Sequence, residues 1–104
     1  MSPEPDVFAA LADPTRRTVL EQVASRGSAT ATELAVPLGI TRQAVAKHLG
    51  VLADAGLVDA RRAGRETRYR LTPEPLSDAI AWMEEVGSRW DRSLERLSER
   101  ARRA

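Results

Sequence analysis

The chain has 104 residues, of which 42% are hydrophobic and 30% charged, with a net charge of +1 and no cysteine. This length and composition predict one soluble globular domain, and the lack of cysteine excludes disulfides, thiolate metal ligands and cysteine nucleophiles. No apolar run approaches the roughly 18 residues of a membrane span, and no basic, apolar signal segment opens the chain, so a cytoplasmic protein without membrane contact is expected.

Two short helices are predicted at the start of the chain. Residues 1–5 contain two prolines and are expected to fray. A first helix of about two turns is indicated by the apolar residues Val7, Phe8 and Leu11. Asp13 caps a second helix, and Pro14 suits its first position, where a missing N–H costs nothing. This second helix is expected to end near Arg26.

Segment 30–56 has the pattern of a helix-turn-helix. Thr30 and Glu33 fit a capping box at the start of the first helix of this motif. Thr41 fits the N-cap of its second helix, which is predicted over 41–55. The motif is typical of proteins that insert the second helix into the major groove of DNA.

The second helix of this motif has one apolar line and one polar face. Its apolar line consists of Val45, Leu49 and Leu52. Gln43 and Lys47 fall on the opposite line, with small residues between them. Such a face supplies donors for base edges and phosphates without intervening bulk. The alternative is an ordinary amphipathic surface helix.

A basic block coincides with this motif and with the segment that follows it. Residues 40–73 hold seven cations and three anions, a net charge of +4, whereas the segments before and after it carry −2 and −1. Apolar and charged residues alternate in the second half of 57–72, which predicts a two-stranded hairpin, or wing, with Tyr69 and Leu71 facing the core. The cations of the wing are Arg61, Arg62, Arg65 and Arg68. They suit the DNA backbone or the minor groove, the alternative being that edge arginines merely deter aggregation.

An apolar seam with heptad spacing predicts a long last helix over 76–101. The seam consists of Leu76, Ile80, Met83, Gly87, Trp90, Leu94, Leu97 and Ala101. A second apolar strip beside it contains Trp82 and Val86. Because so small a body cannot cover both strips, a partner chain is expected. The alternative is a helix folded back on its own domain.

No catalytic or metal-binding constellation is recognisable. His48 is the only histidine, and its place on the flank of the second helix favours packing or a phosphate contact over metal binding. Neither a glycine-rich phosphate loop nor a nucleophile elbow is present. The sequence therefore predicts a protein that is not an enzyme and that uses no metal or other cofactor.

These elements predict a mainly α fold, a winged helix-turn-helix of five helices and a two-stranded wing. At this point residues 7–76 resemble the ArsR-type winged-helix repressors of bacteria. The segments that carry the resemblance are FAALADPTRRTVLEQV, ATELAVPLGITRQAVAKHLGVLADAGLV and RYRLTPEPL. The resemblance implies a homodimer with a recognition helix in the major groove of DNA. The positions that match the DNA-contacting part of that helix are Thr41, Arg42, Gln43, Ala46, Lys47 and His48.

The resemblance also implies that the first and last helices form the dimer interface. The residues expected there are Phe8, Leu11, Ile80, Met83, Gly87, Trp90, Leu94 and Leu97. Many family members sense metals through cysteines in the segment that here reads ELAVP (33–37), or through acidic and histidine ligands on the last helix. Neither set is present. Metal sensing is therefore not expected, and the sequence does not identify the small-molecule effector or inducing signal.

The leading hypothesis is a sequence-specific regulator of transcription that binds double-stranded DNA, with a homodimeric repressor favoured. It would read the major groove with 41–55 and the backbone or minor groove with the 57–72 wing. One alternative is a winged-helix module for protein interaction without DNA binding, against which the +4 block argues. The other is a regulator of the MarR type, which usually has a longer chain with helical extensions.

Overall fold

The computed structural model describes residues 5–103, so the predicted fraying of residues 1–5 lies outside this range except at Pro5, which begins a helix. Within the range, five helices and one hairpin follow one another in the predicted order, and the predicted fold class is confirmed. The elements are α1 (Pro5–Leu11), α2 (Pro14–Arg26), α3 (Ala31–Leu38), α4 (Arg42–Asp54), β1 (Val58–Ala63), β2 (Glu66–Leu71) and α5 (Pro73–Arg103).

The junction between α1 and α2 is stabilised by an N-cap and by two arginines. The Asp13 side chain accepts hydrogen bonds from the backbone N–H groups at the start of α2, as predicted. Arg16 donates to the carbonyl oxygen of Ala10 at 3.2 Å, and Arg17 donates to that of Leu11 at 2.8 Å. These contacts satisfy carbonyl groups at the end of α1 that have no partner within the helix. Both arginines therefore stabilise the junction between α1 and α2.

The helix-turn-helix is bounded by the predicted caps. The hydroxyl of Thr30 accepts from the N–H of Glu33 at 3.1 Å, and the Glu33 carboxylate accepts from the N–H of Thr30 at 2.9 Å. Gly39 ends α3 with φ of 66°, which an L-residue rarely adopts. The Thr41 hydroxyl accepts from the N–H of Ala44 at 3.0 Å and begins α4. These local bonds fix the angle of the turn between the two helices.

The core lies where α4 crosses α1, α2 and α3. The whole predicted apolar line of α4 is buried, together with side chains from the other elements. The largest fully buried side chains are Val7, Val19, Val23, Leu34, Val45, Leu49, Leu52 and Leu57. Full burial of an aliphatic side chain typically contributes about 1.5–3 kcal/mol. The polar face of α4 must consequently point away from the body.

The wing is a two-stranded antiparallel ribbon whose second strand is hydrogen-bonded to the body. Its turn is formed by Gly64 and Arg65, and the φ of 64° at Gly64 suits the first central position of a type II′ turn. Tyr69 exchanges two backbone hydrogen bonds with Ala29, at 3.0 and 2.9 Å. Tyr69 and Leu71 pack against the core, as predicted from the alternation.

Helix α5 begins at Pro73, three residues before the predicted start at Leu76. Proline suits the first position because it needs no N–H partner there. The 31 residues of α5 give a length of about 46 Å. Near its start the helix packs on α1, where the rings of Phe8 and Trp82 lie 5.5 Å apart. No helix within 5–103 combines the length and apolarity needed to cross a bilayer.

Most of the apolar seam on α5 is exposed within this chain. Trp90 is 66% exposed, and no heavy atom outside the local helix lies within 4 Å of the position that a Cβ would take on Gly87. The other large exposed members of the seam are Ile80, Met83, Leu94 and Leu97. The body therefore does not cover the seam, contrary to the alternative of a helix folded back on its own domain. Of the two predicted residues on α1, Phe8 is exposed and Leu11 is partly buried.

The two capping carboxylates predict a loss of stability in acid. The backbone hydrogen bond from Arg16 lowers the pKa of Asp13, and that from Thr30 lowers the pKa of Glu33. A carboxylate whose pKa falls on folding stabilises the fold above its ordinary pKa, and this contribution is lost as the pH falls through the folded pKa. The free energy of unfolding should therefore decrease below about pH 4.

Urea unfolding at a series of pH values measures this decrease. The double variant Asp13→Asn, Glu33→Gln keeps both caps, since Asn and Gln accept the same backbone bonds. Its unfolding free energy should fall less steeply than that of the wild type between about pH 5 and pH 3. Parallel pH profiles for the two proteins would contradict this assignment.

Candidate nucleic-acid interface

The outward face of α4 is polar and open. Arg42, Gln43, Ala46 and Lys47 are exposed on it, as the helical spacing predicted. The hydroxyl of Thr41 uses one lone pair for the cap and keeps its proton for an external acceptor. The first turn of α4 thus offers a hydroxyl, a guanidinium and an amide without a bulky apolar side chain between them.

A groove of about 270 Å³ separates this face from the start of α3 and from the wing. Its lining residues are Thr30, Ala31, Thr32, Arg42, Gln43, Ala46, Arg65, Glu66, Thr67 and Tyr69. The groove brings the recognition-helix residues Arg42 and Gln43 together with Arg65 of the wing turn. Thr32 and Thr67 were not predicted as site residues. The only signal for Thr67 was the strand alternation, and Thr32 had none beyond its place in the first turn of α3.

The wing arginines lie on two different faces of the ribbon. Arg62 is paired across the strands with Thr67, so these two side chains share one face of the ribbon. Arg61 is paired with Arg68, and both therefore lie on the opposite side. Arg61 contacts Asp59 of its own strand at 3.0 Å. The predicted wing cations thus lie on one small ribbon, but their side chains are divided between its two faces.

His48 lies between the outward face of α4 and the core. Its side chain is half-buried, and its Nδ1 is buried without a hydrogen-bond partner among residues 5–103. His48 therefore lies on the flank of α4, where the sequence placed it. A contact between His48 and DNA stays a prediction. Over the same residues, no group of three or more His, Cys, Asp or Glu side chains is arranged to hold a metal ion.

The fold and this surface define a winged helix-turn-helix DNA-binding protein. A family model described as a helix-turn-helix domain matches residues 11–61, which span α2, both helices of the motif and most of the first strand of the wing.

Known proteins of the same kind share most of this chain. The transcriptional repressor SdpR of Bacillus subtilis is 33% identical over 89 residues, which is 86% of this chain and 98% of SdpR. An ArsR-like transcriptional regulator from Rhodococcus sp. RHA1 superimposes with a TM-score of 0.78 at 40% identity, covering 90% of this chain and 88% of that one.

A third similarity is to Mb0332 of Mycobacterium bovis, whose fragment 1–100 is described as a homodimeric winged helix-turn-helix DNA-binding domain and a possible ArsR-family regulator. It superimposes with a TM-score of 0.64 at 29% identity, covering 80% of this chain and 76% of that one. The present chain therefore belongs to the ArsR-type family of winged helix-turn-helix transcriptional regulators. The two alternatives, a MarR-type regulator and an interaction module without DNA binding, are not favoured by these similarities.

Proposed function

We propose that this protein is a homodimeric repressor that acts in the cytoplasm by binding an operator in double-stranded DNA, without catalysis. The observation that carries the proposal is the groove shared by α4 and the wing. Arg42 and Gln43 of α4 line this groove together with Arg65 of the wing turn. A duplex seated against α4 would meet both elements at once.

The two elements suit different parts of the duplex. The start of α4 carries side chains that reach base edges in the major groove, where each base pair has its own pattern of donors and acceptors. Arg65 stands at the turn of the wing, beyond the last strand pair, and can reach a phosphate or a narrow minor groove. Specificity would therefore come from α4, and the wing would set orientation and affinity.

The dimer is supported by the exposed seam of α5. Trp90, Leu94 and Leu97 lie on one face of a helix whose second half extends away from the body, and such apolar strips commonly mark protein interfaces. SdpR is named a transcriptional repressor, and Mb0332 is described as homodimeric. Two copies joined along α5 would present two α4 helices to two half-sites of a palindromic operator.

The direct test is selection of bound sequences from a pool of random duplexes. The proposal expects an inverted repeat whose half-site centres lie about 10 base pairs, or a multiple of that, apart. A matching sequence upstream of the protein's own gene would identify an operator. Absence of binding to any duplex at low salt would refute the proposal and favour the interaction module.

We also expect that transition metals neither support nor control DNA binding. The reason is chemical: the chain has no cysteine and one histidine, and the positions of the family's usual ligands hold other residues. Titration with stoichiometric zinc, nickel or cadmium, and removal of metal with a chelator, should change operator affinity by less than about twofold. A stoichiometric site that shifts affinity tenfold would contradict this expectation.

A further inference from the structure

Arg68 is held by three partners within the chain. Its Nη2 lies 3.0 Å from Oε1 of Glu33, and its Nη1 lies 3.6 Å from Oε2 of Glu66. Its Nε donates to the hydroxyl of Ser28 at 3.3 Å. The side chain is 35% exposed, compared with 76% for Arg61 on the neighbouring strand. Two nitrogens of the Arg68 guanidinium thus donate hydrogen bonds within the fold, and the third lies at ion-pair distance from a carboxylate.

The Glu33 carboxylate connects this cluster to the helix-turn-helix. Its Oε1 accepts from the N–H of Thr30 at 2.9 Å and from Arg68 at 3.0 Å. The bond from Thr30 is the main cause that lowers the pKa of Glu33, and the Arg68 charge lowers it further. Glu33 is therefore ionised at neutral pH, and one oxygen joins the capping box of α3 to the second strand of the wing.

The cluster lies beside the backbone junction between wing and body. Ala29 and Tyr69 exchange the two hydrogen bonds of that junction, and Ser28 and Arg68 are the residues immediately before them. Beyond this junction the wing is a two-stranded ribbon, so its direction is determined here. Arg65 lies in the wing turn, three residues before Arg68 and about 10 Å away along the ribbon. A small rotation at Arg68 would displace Arg65 from the groove.

We propose that Arg68 is a positioning residue of the wing, which directs Arg65 toward α4 and does not itself bind a DNA phosphate. The inference rests on the proposed operator binding. It separates Arg68 from the other wing cations, with which the sequence pattern had grouped it. Two features support it: the engagement of all three guanidinium nitrogens of Arg68 by partners within the chain, and the absence of Arg68 from the residues that line the groove.

Comparison of Arg68→Ala with Arg68→Lys distinguishes positioning from phosphate contact. A lysine replaces an arginine well as a point charge at a phosphate, but its ammonium lacks the fork that spans three separate partners. If Arg68 positions the wing, both variants should weaken operator binding about two- to fivefold. The matched control Arg65→Lys should remain within about twofold of the wild type, since a flexible tip cation meets phosphate in either form. Recovery of wild-type affinity by Arg68→Lys, with Arg68→Ala impaired, would overturn the proposal.

A double-mutant cycle with Arg65→Ala gives a second criterion. If Arg68 acts through Arg65, its replacement by alanine should have little further effect on affinity in the Arg65→Ala background. The salt slope of the double variant should then equal that of Arg65→Ala alone. A further decrease of the slope by about one would instead show a phosphate contact made by Arg68 itself.

Amide exchange in the free protein tests the tether without DNA. The N–H of Tyr69, bonded to Ala29, should exchange faster in Arg68→Ala and Arg68→Lys than in the wild type, and at the wild-type rate in Arg65→Ala. Circular dichroism verifies that each variant is folded. Unchanged exchange at Tyr69 in both Arg68 variants would refute the positioning role. If the wild type bound no duplex, the proposed function would fail separately, and this measurement would still test the tether.

Discussion

Replacement of Trp90 by alanine is expected to dissociate the dimer. Trp90 is 66% exposed in the single chain, and the concave surface around it is lined by Val86, Arg89 and Ser93 of the same helix. Its indole therefore contributes little to the folding of one protomer and is available to a partner. Buried aromatic residues near the centre of an interface typically cost about 2–4 kcal/mol when truncated. The dimer dissociation constant should accordingly rise about 30- to 1,000-fold.

Sedimentation of wild type and Trp90→Ala over a range of concentrations measures this effect. Val36→Ala is the matched control, because Val36 is 87% exposed but lies on α3, outside the seam. The control should remain dimeric, and its thermal midpoint should depend on concentration as that of the wild type does. A wild-type chain that is monomeric at micromolar concentration would refute the interpretation of the seam.

Truncation of Gln43 is expected to reduce sequence discrimination, whereas truncation of Arg65 is expected to weaken all DNA binding. Gln43 lies on the outward face of α4, where a base contact is worth about 1–3 kcal/mol of discrimination. Gln43→Ala should therefore lower the ratio of operator to scrambled-duplex affinity about 5- to 150-fold, with relaxed preference at one position in each half-site. Arg65→Ala should weaken both duplexes alike and reduce the salt slope by about one.

Binding to an operator and to a scrambled duplex across a salt series separates the two roles. The chain offers matched controls: Gln22→Ala removes the other glutamine, on α2, and Arg92→Ala removes an exposed arginine of α5. Neither residue lines the groove, so neither change should alter the affinity ratio or the slope. The assignment is reversed if Gln43→Ala lowers both affinities equally while Arg65→Ala changes only their ratio.

The sequence alone determined the helices and strands and their order, because the signals that set them are local. An N-cap such as Thr41 binds an amide three residues away, and the heptad spacing of the α5 seam is a property of one helix. The alternation in β2 identified its core-facing side for the same reason. The start of α5 was missed by three residues because Pro73 reads equally well as the end of a strand or the first residue of a helix.

Only the tertiary structure decided which of the candidate side chains share a surface and which are already engaged. Arg65 meets Arg42 and Gln43 in one groove because β2 is attached to Ala29 and α4 is seated on the core, and neither fact is local. Two of the partners of Arg68 are distant in sequence: Glu33 lies 35 residues away along the chain, and Ser28 lies 40 residues away. Sequence spacing shows which residues can lie on one face of one element. The packing of different elements determines which faces meet, because burial of distant apolar side chains sets that arrangement.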